Sequence, residues 1–520
     1  MALRFFCAII AAKFFREVMM LLKISPSLED FKSFAQNSNL IAVSANINTD
    51  LDTPVSIFYK IVENGRGFIL ESVDTTQQAF GRFSFVGAQP FVELQVFKSK
   101  ILFRDGDLMK YIGGNPVDAI KKFMSRYKPA NFDKNLPLAN GGMVGYFNFE
   151  IAATFDRIRG LELDDEELLG QFMICRVLIV LDALKNSARL IYLAEINNQT
   201  NLDELYTEIS ACMNEIAKKI AAPLKISAEV EKNPRESINF LKKYGDAPPE
   251  VLKAIERAKE YIFAGDIFQV VPSKQFLAKI SKPAFLFYRK LRQVNPSPYM
   301  FYINFGSVKL VGASPEMLVK ISGKKVFTYP IAGTRRRGKD FDEDFALAAD
   351  LKADIKENAE HSMLVDLARN DLGRISVPGT VKVEKLREVE YFSHVMHMVS
   401  SVTGILEENF TPIDVLKATF PAGTVSGAPK LRAMEIINEL EPVRRKTYAG
   451  TVGYMDFCGN MDMCITLRTI RIENDANLVI QTGAGIVADS IPINEYREFL
   501  QKAKALFEVV EEVENNDSPA

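Results

Sequence analysis

The sequence predicts an α+β protein, and three observations carry that prediction. Between residues 40 and 200, short apolar runs alternate with Gly, Asn and Asp turns, the pattern of an antiparallel sheet with few helices. From Val251 onward, strand patterns mix with helical ones. The elements follow no strict βαβ rhythm, which argues against a doubly wound parallel sheet.

Taken in order, the first half reads as strands at "VSIFYKIV", "GFILESV", "RFSFVG", "FVELQVF" and "RVLIVLDAL". Residues 222 to 250 are richer in proline and charge than their flanks, the best candidate for a boundary. This divides the chain into an extension (1–22), an N-terminal domain (23–222), a linker (223–250), a second domain (251–512) and a tail (513–520). In the second domain a helical pattern runs from Val251 to Phe263 and breaks at Gly265, before the strand "IFQVV". Further strands are expected at "KLVGAS", "KVFTYPIA", "DMCITLRTI" and "NLVIQTGAGIV". Helices are expected at about 341 to 370, 411 to 419, 430 to 440 and 494 to 510.

Composition excludes several classes. At 520 residues, 48% hydrophobic and 25% charged, the chain has ordinary globular composition. A formal net charge of -2 gives no reason to expect nucleic acid or an anionic membrane as partner. Five scattered cysteines show neither CxxC nor Cys/His spacing, which fits a reducing, cytoplasmic setting and argues against a zinc site. The apolar run Phe5 to Ala12 is too short to span a bilayer. The extension around it has the outline of a signal or transit peptide, or of an upstream start before Met19 and Met20.

Two carboxylate pairs stand out. Glu357 and Glu360 lie at i, i+3 on one helix face, and Glu495 and Glu498 repeat that spacing at the start of the last helix. Each pair alone reads as a solvated face or a complement to the helix dipole. Facing one another, they would need a cation between them, and magnesium takes such oxygen ligands. Arg468 falls within an apolar strand and must find an anion. Gly483 and Gly485 in "VIQTGAGIV" mark a bulge or a ligand's close approach. "FPAGTVSGAPK" leads glycines into a helix start suited to an anion, or is a plain loop with Ser426 as N-cap. His394 and His397 fall on opposite faces of one strand, where a histidine is more often a satisfied core residue than a catalyst.

The motifs "YPIAGTR", "KENAEHSMLVDLARNDLGR", "HVMHMVS", "FPAGTVSGAPK", "TYAGTVGY", "ITLRTI", "GAGIVADS" and "PINEY" occur in the order found in chorismate-utilising enzymes. The chain resembles that family over roughly residues 50 to 510, and specifically component I of anthranilate synthase. The resemblance implies antiparallel sheets packed in a sandwich with helices outside. It implies Glu360 and Glu498 as Mg2+ ligands, with Glu357 and Glu495 acting directly or through water. It implies that Tyr448 and Arg468 bind the enolpyruvyl carboxylate of chorismate, with Lys502 nearby. Gly483, Ala484 and Gly485 would cradle the ring carboxylate, and Thr334 and Thr424 would line the ring pocket. His397 matches the general acid/base histidine, and Glu316 the acid that assists departure of the ring hydroxyl.

Two positions distinguish the siblings. Ala332 stands where lysine-dependent aminodeoxychorismate synthases carry a nucleophile. Gln269 stands where isochorismate synthases carry a water-activating lysine. Both favour ammonia as nucleophile. The chain has no plausible glutaminase segment, so a separate glutamine amidotransferase subunit is implied, in a heterotetramer. Ser72 in "LES" and Pro298, Tyr299 and Met300 in "NPSPYM" match the family's tryptophan-binding elements, implying feedback inhibition. Two other readings are a synthase that retains pyruvate, of the aminodeoxyisochorismate type, and a non-catalytic protein that has kept the fold.

Overall fold

The computed structural model describes residues 22–72, 82–105, 108–130, 136–224, 237–391 and 395–515. Every strand pairing between its named strands is antiparallel. Two long strands, Phe83–Val96 and Gly170–Asp182, pair along their length with a register shift between Pro90 and Val92. On one side of that shift Phe83–Val96 pairs with Gly67–Glu71, and on the other with Lys100–Asp105. The two strands therefore feed two sheets. One continues through Gly67–Glu71, Tyr299–Asn304, Val308–Ser314, Thr469–Glu473 and Asn477–Gly483 to Ser273–Lys279. The other continues through Gly142–Phe147, Thr451–Asp456, Met461–Ile465 and Met317–Ser322 to the strands around Val395–Ile405.

Strands from both sides of the 223–250 boundary thus share each sheet, as Gly67–Glu71 does with Tyr299–Asn304. Residues 225–236 of that linker lie outside the described residues.

Three local readings are corrected. "VSIFYKIV" is a helix, Pro54–Ile61: Thr53 caps it with a capping box to Ser56, and Pro54 sits in the first turn, where its missing N–H costs nothing. The expected helix over 341–370 is two, Phe341–Ala353 and Ile355–Gly373. Asp354 ends the first and caps the second, accepting from the N–H groups of Lys356 and Glu357. Helix Lys430–Leu440 starts after Pro429, not at Ser426, whose hydroxyl bonds the Ala422 carbonyl inside the short turn Gly423–Ser426.

The last helix, Pro492–Asn515, buries Tyr496, Phe499, Ala503, Leu506, Phe507 and Val510, a stripe at i, i+3, i+4 spacing. Phe507 stacks on Phe240 with ring centroids 4.4 Å apart and meets Phe276 edge-on at 5.1 Å. Burying one such ring stabilises by about 1.5–3 kcal/mol. That packing holds the helix so that Lys502, on the flank of the buried stripe, reaches the site described next, with Glu498 one turn before it. Among the described residues no helix is long and apolar enough to cross a membrane.

Candidate active site

A cavity of about 360 Å³ opens between the strand ends of both sheets. Glu316, Thr334, His397, Thr424, Tyr448 and Arg468 line it, with Gly483, Lys502 and Ala332. These residues come from segments as far apart as 316 and 502, and only the paired sheets bring them together.

Glu316 follows strand Val308–Ser314, and its Oε1 accepts a hydrogen bond from the Thr424 hydroxyl at 2.8 Å. Burial pushes its carboxyl up to about 7, against the lowering effects of Thr424 and Lys502. A carboxyl so placed holds a proton near neutrality, which suits a general acid.

His397 lies on strand Val395–Ile405, opposite Thr334. Its Nδ1 is 2.9 Å from the Thr334 hydroxyl and 3.4 Å from the Gly333 carbonyl oxygen. A carbonyl only accepts, so the Gly333 contact favours the tautomer with the proton on Nδ1 and the lone pair on Nε2. Burial, together with the Arg468 charge, lowers the imidazole's pKa and keeps it neutral. His394 falls outside the described residues. His361 is a core residue, fully buried, with Nε2 2.6 Å from the Ser400 hydroxyl.

Arg468 departs from the expected continuous strand. The run breaks between Met461–Ile465 and Thr469–Glu473, and Arg468 sits in the break with φ +47°. Left-handed backbone is uncommon for a side chain of this size. The kink presents the guanidinium to the cavity, where burial lowers its pKa and no described carboxylate forms an ion pair with it. An anion is the chemistry it lacks.

Lys502 reaches the same wall, donating to the Gly483 carbonyl at 3.0 Å and pairing with Glu498 at 2.8 Å. Glycine is required at 483, where a Cβ would stand 2.4 Å from the Pro272 carbonyl oxygen and 2.9 Å from the Tyr448 hydroxyl. At Gly485 a Cβ would meet the Gln269 amide at 2.5 Å. Ala484 is fully buried and does not line the cavity.

Three of the four acidic residues have protein partners. Glu357 pairs with Arg335 at 3.2 Å, Glu360 accepts from the Gln269 amide at 3.3 Å, and Glu498 holds Lys502. Glu495 is near enough to both Glu498 and Lys356 to feel their charge. Among the described residues no three His, Cys, Asp or Glu side chains stand together as a metal site. The oxygen donors suit magnesium chemically, and in this structure Arg335 and Lys502 pair with two of them, Glu357 and Glu498.

A second cavity, of about 300 Å³, is lined by Ser72, Pro298 and Tyr299 with Phe83, Phe301 and Asp462. The Ser72 hydroxyl is buried without a hydrogen-bond partner among the described residues. Tyr299 donates to Asp462 at 2.9 Å, and Lys320 pairs with the same carboxylate at 3.0 Å. Met300, the next residue along the strand, is 1% exposed and does not line this cavity, as the period of two requires. Pro298 lines both cavities.

The sequence reading missed Gln481, Ser297 and Asn295, which also line the first cavity. Gln481 had a signal: it is two residues from Gly483 on one strand, and so on the same face.

The chorismate binding enzyme family model matches residues 67–508. The chain belongs to this family. It is 41% identical to the anthranilate synthase component 1 of Acetivibrio thermocellus, over 94% of this chain and 98% of that one. It is 40% identical to the protein of that name from Synechocystis, over 94% and 99%. The crystal structure of anthranilate synthase component I from Streptococcus pneumoniae superposes with a TM-score of 0.68 at 35% identity, covering 84% of this chain and 94% of that one. The menaquinone-specific isochorismate synthase of Escherichia coli shares the fold, with a TM-score of 0.67 at 20% identity over 93% and 98%. The family assignment covers both cavities, except that residues 73–81 beside Ser72 are not described.

Proposed function

We propose that this chain is component I of an anthranilate synthase, converting chorismate and ammonia to anthranilate and pyruvate. The observation that carries the reading is one cavity lined by Arg468, with no described carboxylate paired to it, by Glu316, whose carboxyl burial pushes up to about 7, and by the neutral His397. In this reading Arg468 and Tyr448 bind the enolpyruvyl carboxylate, while Lys502 and the backbone at Gly483 take the ring carboxylate. Ammonia adds at ring carbon 2 as Glu316 gives its proton to the departing carbon-4 hydroxyl, which leaves as water. His397 Nε2 then takes the carbon-2 proton as pyruvate is eliminated and the ring becomes aromatic. Ala332 in the cavity wall offers no amine for a covalent adduct.

Magnesium belongs to the proposal on chemical grounds. A dianionic substrate approaching Glu357, Glu360, Glu495 and Glu498 needs a cation between itself and them. Binding it requires Lys502 and Arg335 to release Glu498 and Glu357. The name component 1 borne by the relatives supports a second component, which we take to be a glutamine amidotransferase in a two-plus-two assembly. The second cavity, with aromatic walls, a paired Lys320 and Asp462 and a Ser72 hydroxyl without a partner among the described residues, suits free tryptophan as inhibitor. Free Cys175, Cys212, Cys458 and Cys464 agree with a reducing, cytoplasmic setting.

The test is anthranilate fluorescence from purified chain, chorismate, Mg2+ and a high concentration of an ammonium salt near neutral pH. The expected signal disappears with EDTA and falls with tryptophan. Chorismate consumed without fluorescence, with a product retaining pyruvate, would replace this reading by an aminodeoxyisochorismate-type synthase. No consumption even with a glutaminase present would remove the enzyme reading.

A further inference from the structure

Behind the cavity wall lies an ion pair that no part of the reaction above uses. Arg445 is 2% exposed, and its Nε is 2.9 Å from Glu441 Oε2 and 3.1 Å from Oε1. Both terminal nitrogens also donate to protein: Nη1 to the Val425 carbonyl at 2.8 Å, and Nη2 to Glu441 and to the Val271 carbonyl. The guanidinium lies 4.6 Å from the Phe149 ring centroid and 5.4 Å from that of Tyr448. Glu441 in turn accepts from the backbone N–H and the hydroxyl of Ser273, both at 2.8 Å, and the Gln481 amide donates to that hydroxyl at 2.8 Å.

These contacts reach three separate walls of the cavity. Val425 follows Thr424 in the turn Gly423–Ser426, Val271 lines the cavity, and Tyr448 stands three residues after Arg445, its N–H bonded to the Arg445 carbonyl at 3.2 Å. We infer that Arg445, locked by Glu441, is a positioning residue that sets the relative placement of Thr424, Val271 and Tyr448 around the substrate. A buried charge pair is costly unless its geometry is complete, and replacing it by apolar groups is often neutral for stability. Here all three guanidinium nitrogens donate, to one carboxylate and two carbonyls of different segments. Lysine keeps the charge but offers no planar fork, so it cannot reproduce the two-nitrogen grip on Glu441 together with the separate bonds to the two carbonyls.

The inference rests on the synthase reading, and its test separates the two. Wild-type chain must first give anthranilate; if it does not, the synthase reading fails and Arg445 has no reaction to position. With wild-type activity in hand, Arg445→Lys and Glu441→Gln are compared by kcat, KM for chorismate, pH profile and thermal unfolding. Misplacing reacting groups by about 1 Å costs on the order of 10²-fold, so kcat/KM should fall by about that factor, mostly in kcat. The high-pH limb of the profile should also move upward, because a displaced Thr424 no longer donates to Glu316. A purely structural role lowers the melting temperature and leaves the limb and kcat in place. That result in both variants overturns the inference. If Arg445→Lys does not fold, Glu441→Gln, which keeps side-chain shape, decides on the same two readouts.

Discussion

Thr424 donates its hydroxyl hydrogen to Glu316 at 2.8 Å, across 108 residues of sequence. That bond opposes burial, which pushes the Glu316 carboxyl up to about 7. If Glu316 acts as the acid, the rate falls as pH rises through about 7, where the proton is lost. Thr424→Val removes the donor that stabilises the carboxylate, so the limb moves to higher pH. Glu316→Gln should lower kcat by about 10²–10⁴-fold and flatten the limb. Steady-state rates from acid to alkaline pH with chorismate saturating check both, and an unmoved limb in Thr424→Val rejects the assignment.

His397 titrates in the opposite sense. Burial lowers its pKa, so the neutral, lone-pair form persists further into acid, and a base role is lost only as pH falls through the lowered value. His397→Ala should cost about 10²–10⁴-fold in kcat. KM for chorismate should change little, because the imidazole is not among the carboxylate-binding groups. A large rise in KM with kcat intact would show it to be a binding residue instead.

Arg468 predicts a trade between function and stability. A half-buried guanidinium with no described carboxylate paired to it is a cost to the folded state. Arg468→Met should raise the melting temperature, or leave it unchanged, while abolishing saturation by chorismate. Thermal unfolding and a substrate titration read the two effects independently. A lowered melting temperature would mean that the kink at φ +47° depends on the charge.

Ser72 carries the prediction for the second cavity. Ser72→Phe fills space beside a hydroxyl without a partner among the described residues and should remove inhibition by tryptophan while anthranilate formation continues. In the wild type, tryptophan at about 100 times its dissociation constant adds ~2.7 kcal/mol of stability, read as a raised melting temperature. The variant should show no such rise. Equal protection of both proteins would place tryptophan elsewhere. Pro298 lines both cavities.

Phe507→Ala tests the platform of the site. The ring packs on Phe240 and Phe276 beneath the helix that carries Glu498 and Lys502. Removing a buried phenylalanine costs about 3–5 kcal/mol. Denaturant unfolding should show that loss, with KM for chorismate raised as Lys502 loosens. A stable variant with wild-type KM would show that the helix is held by its other contacts.

The sequence by itself determined the α+β class, the spacing of both glutamate pairs and, through ordered motifs, the family. Those features are local or are written in residue identity, and helical or strand periodicity survives without knowledge of the rest of the chain. "VSIFYKIV" shows the limit: its apolar pattern fits a strand, and the capping of Thr53 and Pro54 decided for a helix. Only the tertiary structure decided that Glu316 meets Thr424, that Arg468 sits in a left-handed break, and that Arg335 and Lys502 occupy two of the four carboxylates expected to share a metal. It alone showed Glu441 and Arg445 tying together three walls of the cavity. The reason is physical: pKa shifts and ion-pair choice follow from burial and from distances across paired sheets, and neither quantity exists until segments hundreds of residues apart are packed against one another.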